Sequence, residues 1–277
     1  MVPRSLSIEN ARFAVIRSMV YFQRPMTAPD FKDHFSARAA TYAQFRPTYP
    51  PALLRWLAES APARRRAWDC ATGNGQAAVA LAEHMAEVVA TDASAQQVAA
   101  AAPHPRVRYR VEPAEASSLD PASVDLITVA QALHWFDHAR FAAEVHRVAR
   151  PGALVAAWCY ALAYVTPEVD RVMEHLYVDL VGPYWPPERL ILERGYADVP
   201  FPFEPVEVPA FAMEAEWSLG ALEGYLRSWS ASTRYEADHG KDPVAQVHGL
   251  LAEVWGAPDT LRTVRWPLAM RAGRVRT

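Results

Sequence analysis

AWDCATGNGQAAVALA, residues 67 to 82, joins a short apolar run ending at Trp68 to an alanine-rich run of helical character. Between them stand an acid, Asp69, and two glycines two residues apart, Gly73 and Gly75. A glycine turn between strand and helix lets backbone approach a ligand, and the free N–H groups of the helix's first turn face it. Gly73, Gly75 and Ala78 fit the spacing G-x-G-x-x-G/A, which serves dinucleotides. Which ligand this turn holds is the question it poses.

The same alternation extends on both sides. An amphipathic pattern from about Asp33 to Phe45 is broken by RPTYPP (46–51), where Pro51 opens a second helix, ALLRWLAESA. After AWDC come a helix over 76–86, the strand EVVAT (87–91) ending at Asp92, and a helix near 94–102. RVRYRV (106–111) sets Val107, Tyr109 and Val111 on one face and three arginines on the other, as a strand does. SVDLITVAQAL (123–133) is a mostly apolar run of the kind buried in parallel sheets. Phe141, Ala142, Val145 and Val148 recur at helical spacing over 138–149, Pro151-Gly152 stops that helix, and ALVAAWC (153–159) is a fifth strand. This order predicts an α/β fold with a doubly wound, mostly parallel sheet. Ligands of such sheets lie beyond the carboxyl ends of the strands. Those ends carry Asp69–Gly75, Asp92, Pro113–Glu115 and Gln131–Trp135.

After residue 160 the rhythm changes. Residues 166–196 read as a helix, a Pro/aromatic turn and a second short helix, and 201–217 as extended segments punctuated by prolines. SLGALEGYLRSWSAS (218–232) has a serine N-cap and apolar residues at Leu219, Leu222, Leu226 and Trp229. TVRWPLAMRAG (263–273) is the last strand. The expected organisation is an N-terminal extension, 1–30, that is disordered, followed by one domain over 31–277. Its core covers 31–160 and 259–277, and a mixed, mainly helical insertion or cap covers 161–258.

With 277 residues, 51% hydrophobic and 21% charged, the chain can bury a sizeable core. A net charge of -3 argues against a dedicated nucleic-acid binder. One local exception is the C-terminus, where Arg262, Arg265, Arg271, Arg274 and Arg276 follow Thr260 without an acid. An edge strand with a solvated tail is the plainer reading, and an anionic partner the sharper one. Cys70 and Cys159, the only cysteines, each fall inside an expected buried strand. They form neither a disulfide framework nor a zinc spacing, and no metal is expected. No apolar run reaches the ~18 residues of a membrane span, and residues 1–25 lack the apolar core and cleavage site of a signal peptide. The expected compartment is the cytoplasm. A capped helical pattern begins just after Met26, so translation is expected to start there.

The chemistry of the glycine turn has two readings. For a dinucleotide, the helix N–H groups hold a pyrophosphate. For S-adenosylmethionine, they face the methionine carboxylate. Asp92, 17 residues beyond Gly75, can accept hydrogen bonds from two ribose hydroxyls of either ligand, or cap the next helix. The glycines and Asp92 indicate an adenosine-type ligand and leave hydride and methyl chemistry both open.

The remaining strand ends carry a resemblance. WDCATGNG, VVATDAS, EPAEASSL and VDLITVAQALHWFD follow the order and spacing of the motifs of class I S-adenosylmethionine-dependent methyltransferases. The leader HFSARAATYAQFRPTYPPAL resembles that of the small-molecule branch that includes trans-aconitate methyltransferases. The likeness covers about residues 31–160 well and the rest loosely. It implies a seven-stranded Rossmann-like sheet and S-adenosylmethionine as cofactor. It places Asp69 toward the methionine amino group, the backbone around Ala71, Gly73 and Gly75 along the amino-acid end, and Asp92 on the ribose. Ala93 would pack on adenine, Ala114 and Glu115 would meet its polar edge, and Ala130 and Gln131 would pass under the sulfonium. Phe35, Tyr42 and Arg46 would close over the cofactor. The chain departs from the pattern at Ala71, where relatives have glycine, and at Pro113, where they often have an acid.

The implied reaction is transfer of an activated methyl to an oxygen or nitrogen of a small molecule by in-line displacement, which asks mainly for alignment and exclusion of water. His134, just past the fourth strand, is a candidate general base or a residue that shapes the pocket. Tyr42 and Trp135 are candidates for a cation–π contact to the sulfonium. Trp135, Trp158, Tyr184 and Trp185 are candidates for the acceptor pocket, and Arg189, Arg194, Arg227 and Arg234 for neutralising an acceptor carboxylate. Three other functions compete: a tRNA-modifying methyltransferase, an NAD(P)-linked oxidoreductase and a non-catalytic S-adenosylmethionine-binding protein. The acidic balance counts against the first. The second lacks a Tyr-x-x-x-Lys pair in a chain whose only lysines are Lys32 and Lys241.

Overall fold

The computed structural model describes residues 47–276. The expected extension, the start at Met26 and the leader positions Phe35, Tyr42 and Arg46 lie outside the described residues.

β1 (Arg66–Cys70) pairs in parallel with β2 (Glu87–Asp92) and β4 (Val124–Ala130); β2 pairs in parallel with β3 (Val107–Val111), and β4 with β5 (Ala149–Cys159). β8 (Arg262–Arg274) closes the sheet antiparallel to β5, with the two-residue β6 (Glu204–Pro205) beyond it. The order is β3-β2-β1-β4-β5-β8-β6, with β7 (Phe211–Trp217) paired to β8 off this path. This is the mostly parallel, doubly wound sheet that the alternation implies.

Strand alternation puts two apolar faces on the sheet. Trp68, Cys70, Ile127, Val129, Val155 and Ala157 face the helix α4 (His138–Val148) through Phe141, Val145 and Val148. Ala67, Leu126, Leu154 and Ala156 face α1 (Pro51–Ser60) and α2 (Gln76–Ala82) through Leu53, Leu57, Ala78 and Leu81. Asp125, the acid inside the apolar fourth run, is buried at the opposite edge from the glycine turn. It accepts the backbone N–H groups of Arg65 and Arg66 and faces the Arg150 guanidinium at 3.2 Å. Both cysteines are free and buried.

A third core forms the cap. It gathers Met173, Leu222, Tyr225, Leu226, Leu251, Trp255 and Trp266 from α5 (Pro167–His175), α7 (Leu219–Arg227), α9 (Pro243–Trp255) and β8. β8 belongs to both parts: Arg262–Leu268 pairs with β7 in the cap, and Ala269–Arg274 pairs with β5 in the main sheet. The Trp266 indole N–H donates to Tyr225 Oη at 3.1 Å within the cap core.

Several boundaries differ from the sequence expectations, and three have a clear local cause or consequence. α2 ends at Ala82 rather than 86, because the N–H groups of Ala86 and Glu87 already bond the Arg64 and Arg65 carbonyls at the start of β2. The run 218–232 is two helices, α7 and α8 (Ser230–His239), interrupted where Trp229 is extended (ψ 136). β5 begins at Ala149, with a register shift opposite Val124–Leu126, before the expected 153. The five C-terminal arginines are tied within the fold. Arg265 and Arg276 pair with Glu214 and Glu204, while Arg262, Arg271 and Arg274 donate to backbone carbonyls.

Because one strand carries both cores, the substitution Trp266→Ala should cost about 3–5 kcal/mol and unfold cap and sheet together. Calorimetry of that variant should show one transition at lower temperature; separate transitions would contradict a shared strand.

Candidate cofactor and acceptor site

The carboxyl ends of β1, β2, β4 and β5 converge on one edge of the sheet, and polar contacts there are local and dense. Asp69 is fully buried near the end of β1. Thr72 Oγ1 donates to one carboxylate oxygen at 2.5 Å and Thr128 Oγ1 to the other at 2.7 Å. Thr128 lies directly across from Asp69 in the β1–β4 register, so strand pairing itself delivers this donor. No ion pair reaches Asp69 among the described residues. Burial, with a smaller push from the Asp92 charge, raises its carboxyl to about 6 despite the two hydroxyls.

The turn that follows is strained into place. Ala71, the irregular residue of the motif, adopts φ 53, and Gly73 and Gly75 adopt φ 57 and 83. Gly75 is required by the protein itself. A Cβ there would stand 2.1 Å from Tyr109 Oη, because the β3 tyrosine lies under the turn and donates to the Ala102 carbonyl. Asp92 fastens the turn from β2: one oxygen accepts the Gly73 N–H at 2.8 Å, the other the Ser94 N–H at 2.9 Å. The helix cap that follows is Ser94, whose hydroxyl accepts from Gln97 N–H, and Asp92 lies outside it.

At the end of β4, Ala130 is half-buried and Gln131 takes φ 58. The Gln131 side-chain amide is engaged by backbone: its Nε2 donates to the Tyr160 carbonyl at 3.0 Å and its Oε1 accepts the Tyr160 N–H at 2.9 Å. Its own N–H donates to the Trp158 carbonyl. This residue splints β4 to β5. Ala93 is exposed and Ala114 buried, while Glu115 accepts the Asp137 N–H at 2.9 Å and so anchors the turn before α4. Asp137 caps α4 through the Arg140 N–H.

His134 is buried on the turn Leu133–Trp135, with Nδ1 3.4 Å from Tyr196 Oη. Burial, then the charges of Arg189 and His138, lower its pKa to about 3. Trp135 is exposed beside it. Trp158 is fully buried on the α1 and α2 face, edge-on to Tyr49, and its indole N–H has no partner. Tyr184 bonds Asp238 and His239 within the cap, and Trp185 packs on Tyr177.

Sequence reasoning misses three contributors. Thr72 and Thr128 are hydroxyls at the level of Asp69, and Tyr109 reads only as a strand residue. Tyr196, an aromatic of the cap in sequence, is fully buried with φ 62.

A family model described as a methyltransferase domain matches residues 68–157. A Dictyostelium discoideum protein named as a methyltransferase is 31% identical over 88% of this chain and 95% of its own. The chain belongs to the class I S-adenosylmethionine-dependent methyltransferases. A solved structure from Anaeromyxobacter dehalogenans, named as a type II methyltransferase, superposes with a TM-score of 0.81 at 50% identity. It covers 84% of this chain and 99% of that one. A Saccharomyces cerevisiae protein named as an S-adenosylmethionine-dependent methyltransferase is 24% identical over 74% of this chain and 83% of its own. In this methyltransferase no helix of the described residues is long and apolar enough to cross a membrane, and no group of three or more His, Cys, Asp or Glu could hold a metal.

The two displaced groups make opposite contributions to acid stability. Asp69 holds its proton more tightly when folded, so its contribution is present below the ordinary carboxylate range and is lost as pH rises toward 6. His134 holds its proton less tightly when folded, so its contribution is present above ~6.5 and is lost as pH falls toward 3. Between pH 6.5 and 5, Asp69→Asn should therefore lose stability on acidification more steeply than wild type, and His134→Gln less steeply. Each difference should stay within ~1.4 kcal/mol per pH unit; urea titrations at several pH values measure both slopes.

Proposed function

We propose that this methyltransferase binds S-adenosylmethionine across the ends of β1, β2 and β4. It transfers the methyl in line to an oxygen or nitrogen of a small molecule. The observation that carries the cofactor reading is the buried Asp69, an acid without a cation, with Asp92 close enough to raise its pKa further. A pyrophosphate would bring negative charge to these two carboxylates. A ligand with an ammonium and a sulfonium group brings positive charge, which favours the ionised form of Asp69. The residues present thus suit S-adenosylmethionine better than a dinucleotide.

When bound, that cofactor supplies an activated methyl on sulfur. Asp69 would receive the amino group, the N–H groups of the turn would face the carboxylate, and Asp92 would accept from the ribose hydroxyls. Gln131, held rigid by Tyr160, would keep the backbone at the end of β4 in one conformation beneath the sulfonium. A general base works best with a pKa near the working pH, and a histidine at about 3 is neutral but weakly basic. His134 is therefore assigned to shaping the acceptor pocket. The His134→Ala variant should keep the wild-type pH dependence of turnover, and loss of one ionisation from the pH–rate profile would restore it as base.

Calorimetric titration tests the cofactor reading. S-adenosylhomocysteine should bind and NADH should not, and Asp92→Ala should weaken S-adenosylhomocysteine by about 10–100-fold. Binding of NADH in its place would overturn the proposal. Turnover of labelled cofactor with a metabolite library identifies the acceptor.

A further inference from the structure

Four arginines of the cap were candidates for meeting an acceptor anion, and the structure separates one of them. Arg194 pairs with Asp198 at 2.6 Å, Arg227 pairs with Asp242 at 2.7 Å, and Arg234 donates to the Tyr184 carbonyl. Among the described residues Arg189 has no carboxylate within ion-pair distance. Its Nε donates to Tyr177 Oη at 2.7 Å and one Nη2 proton to the Ala161 carbonyl at 3.1 Å. Its guanidinium carbon lies 4.6 Å from the Trp185 ring centre and 5.4 Å from that of Tyr177. Glu193 accepts from the Tyr177 hydroxyl, and its charge reaches Arg189 from beyond ion-pair distance.

Among the described residues, the sealed, unpartnered polar side-chain atoms are Trp158 Nε1 and Arg262 Nε; Nη1 of Arg189 is not one of them and has no hydrogen-bond partner among those residues. Its position is defined by Ala161, two residues beyond β5, and by Tyr177, which sits in a π-helical turn, Leu176–Leu180, at the end of α5. Such turns occur often at functional sites. The charge of Arg189 is felt by His134 and Cys159 at the carboxyl ends of the sheet. A guanidinium packed against two neighbouring aromatic rings, with one edge unpaired among the described residues, can receive an oxyanion in two parallel hydrogen bonds.

We infer that Arg189 anchors an oxyanion, a carboxylate or phosphate, on the methyl acceptor. The reacting oxygen or nitrogen is a different atom, because an anion held in a guanidinium fork is a poor nucleophile. This inference rests on the methyltransferase reading for the identity of the ligand as acceptor, and the anion site itself can be read without it.

The test uses the full chain, with and without saturating S-adenosylhomocysteine. Benzoate, phenyl phosphate and benzyl alcohol are titrated while the Arg189 Nε–H resonance is followed, assigned by its absence from Arg189→Lys. Benzoate or phenyl phosphate should shift that resonance, whichever is preferred naming the oxyanion, and benzyl alcohol should not. Arg189→Gln should bind the effective anion about 10–100-fold more weakly with unchanged affinity for S-adenosylhomocysteine. An unmoved resonance with both anions, or equal response to benzyl alcohol, would overturn the inference. The wild-type titration decides even if Arg189→Gln does not fold. Absence of S-adenosylhomocysteine binding with intact anion binding would instead overturn the methyltransferase reading and leave the anion site standing.

Discussion

The buried carboxylate of Asp69 is the constraint on which the site depends. It sits in a β-strand with no exposed surface and, among the described residues, no paired cation, and two threonine hydroxyls satisfy it from the turn and from the neighbouring strand. A charge in that position costs free energy that hydroxyl donors offset only in part. The same contacts fix the mouth of the fold: Thr128 of β4 and Thr72 of the turn share the Asp69 carboxylate, and Asp92 ties the turn to β2 through the Gly73 N–H. The turn therefore cannot move without breaking buried polar bonds, which keeps the cofactor end preorganised.

The ends of β4 and β5 are held by a second set of polar ties. Gln131, in a left-handed conformation, bonds the backbone of Tyr160 through its amide, and the Ala161 carbonyl next along the chain receives Arg189. One residue thus links the end of β4 to the start of the cap. β8 provides the other link, with Trp266 in the cap core and Ala272 in the core of the sheet.

Much of the fold was legible because parallel strands buried on both faces leave continuous apolar runs, and the run around Val124–Ala130 is the clearest. The family motifs lie at strand ends for the same reason, so Asp69, Gly73, Gly75 and Asp92 could be placed by position alone. What each does locally was less legible. Gly75 was read for its closeness to a ligand, whereas its φ and the Tyr109 ring beneath it already demand glycine. For Gln131 and Glu115 the sequence offers no sign of the backbone N–H groups that their side chains accept. Trp158 was read as pocket-lining, and it is sealed within the core on the α1 and α2 face. These roles depend on residues 22 to 109 positions away in sequence, which no local pattern encodes. Arg189 was one of four equivalent arginines until its neighbours were known.

On the proposed reading, the ammonium of the bound cofactor neutralises Asp69. Carbon-13 NMR of its carboxyl, titrated with and without S-adenosylhomocysteine, measures this directly. The free protein should show a pKa raised to about 6, and the bound ammonium should lower it. An ordinary carboxylate value in the free protein, or a value that binding leaves unchanged, would contradict the claim.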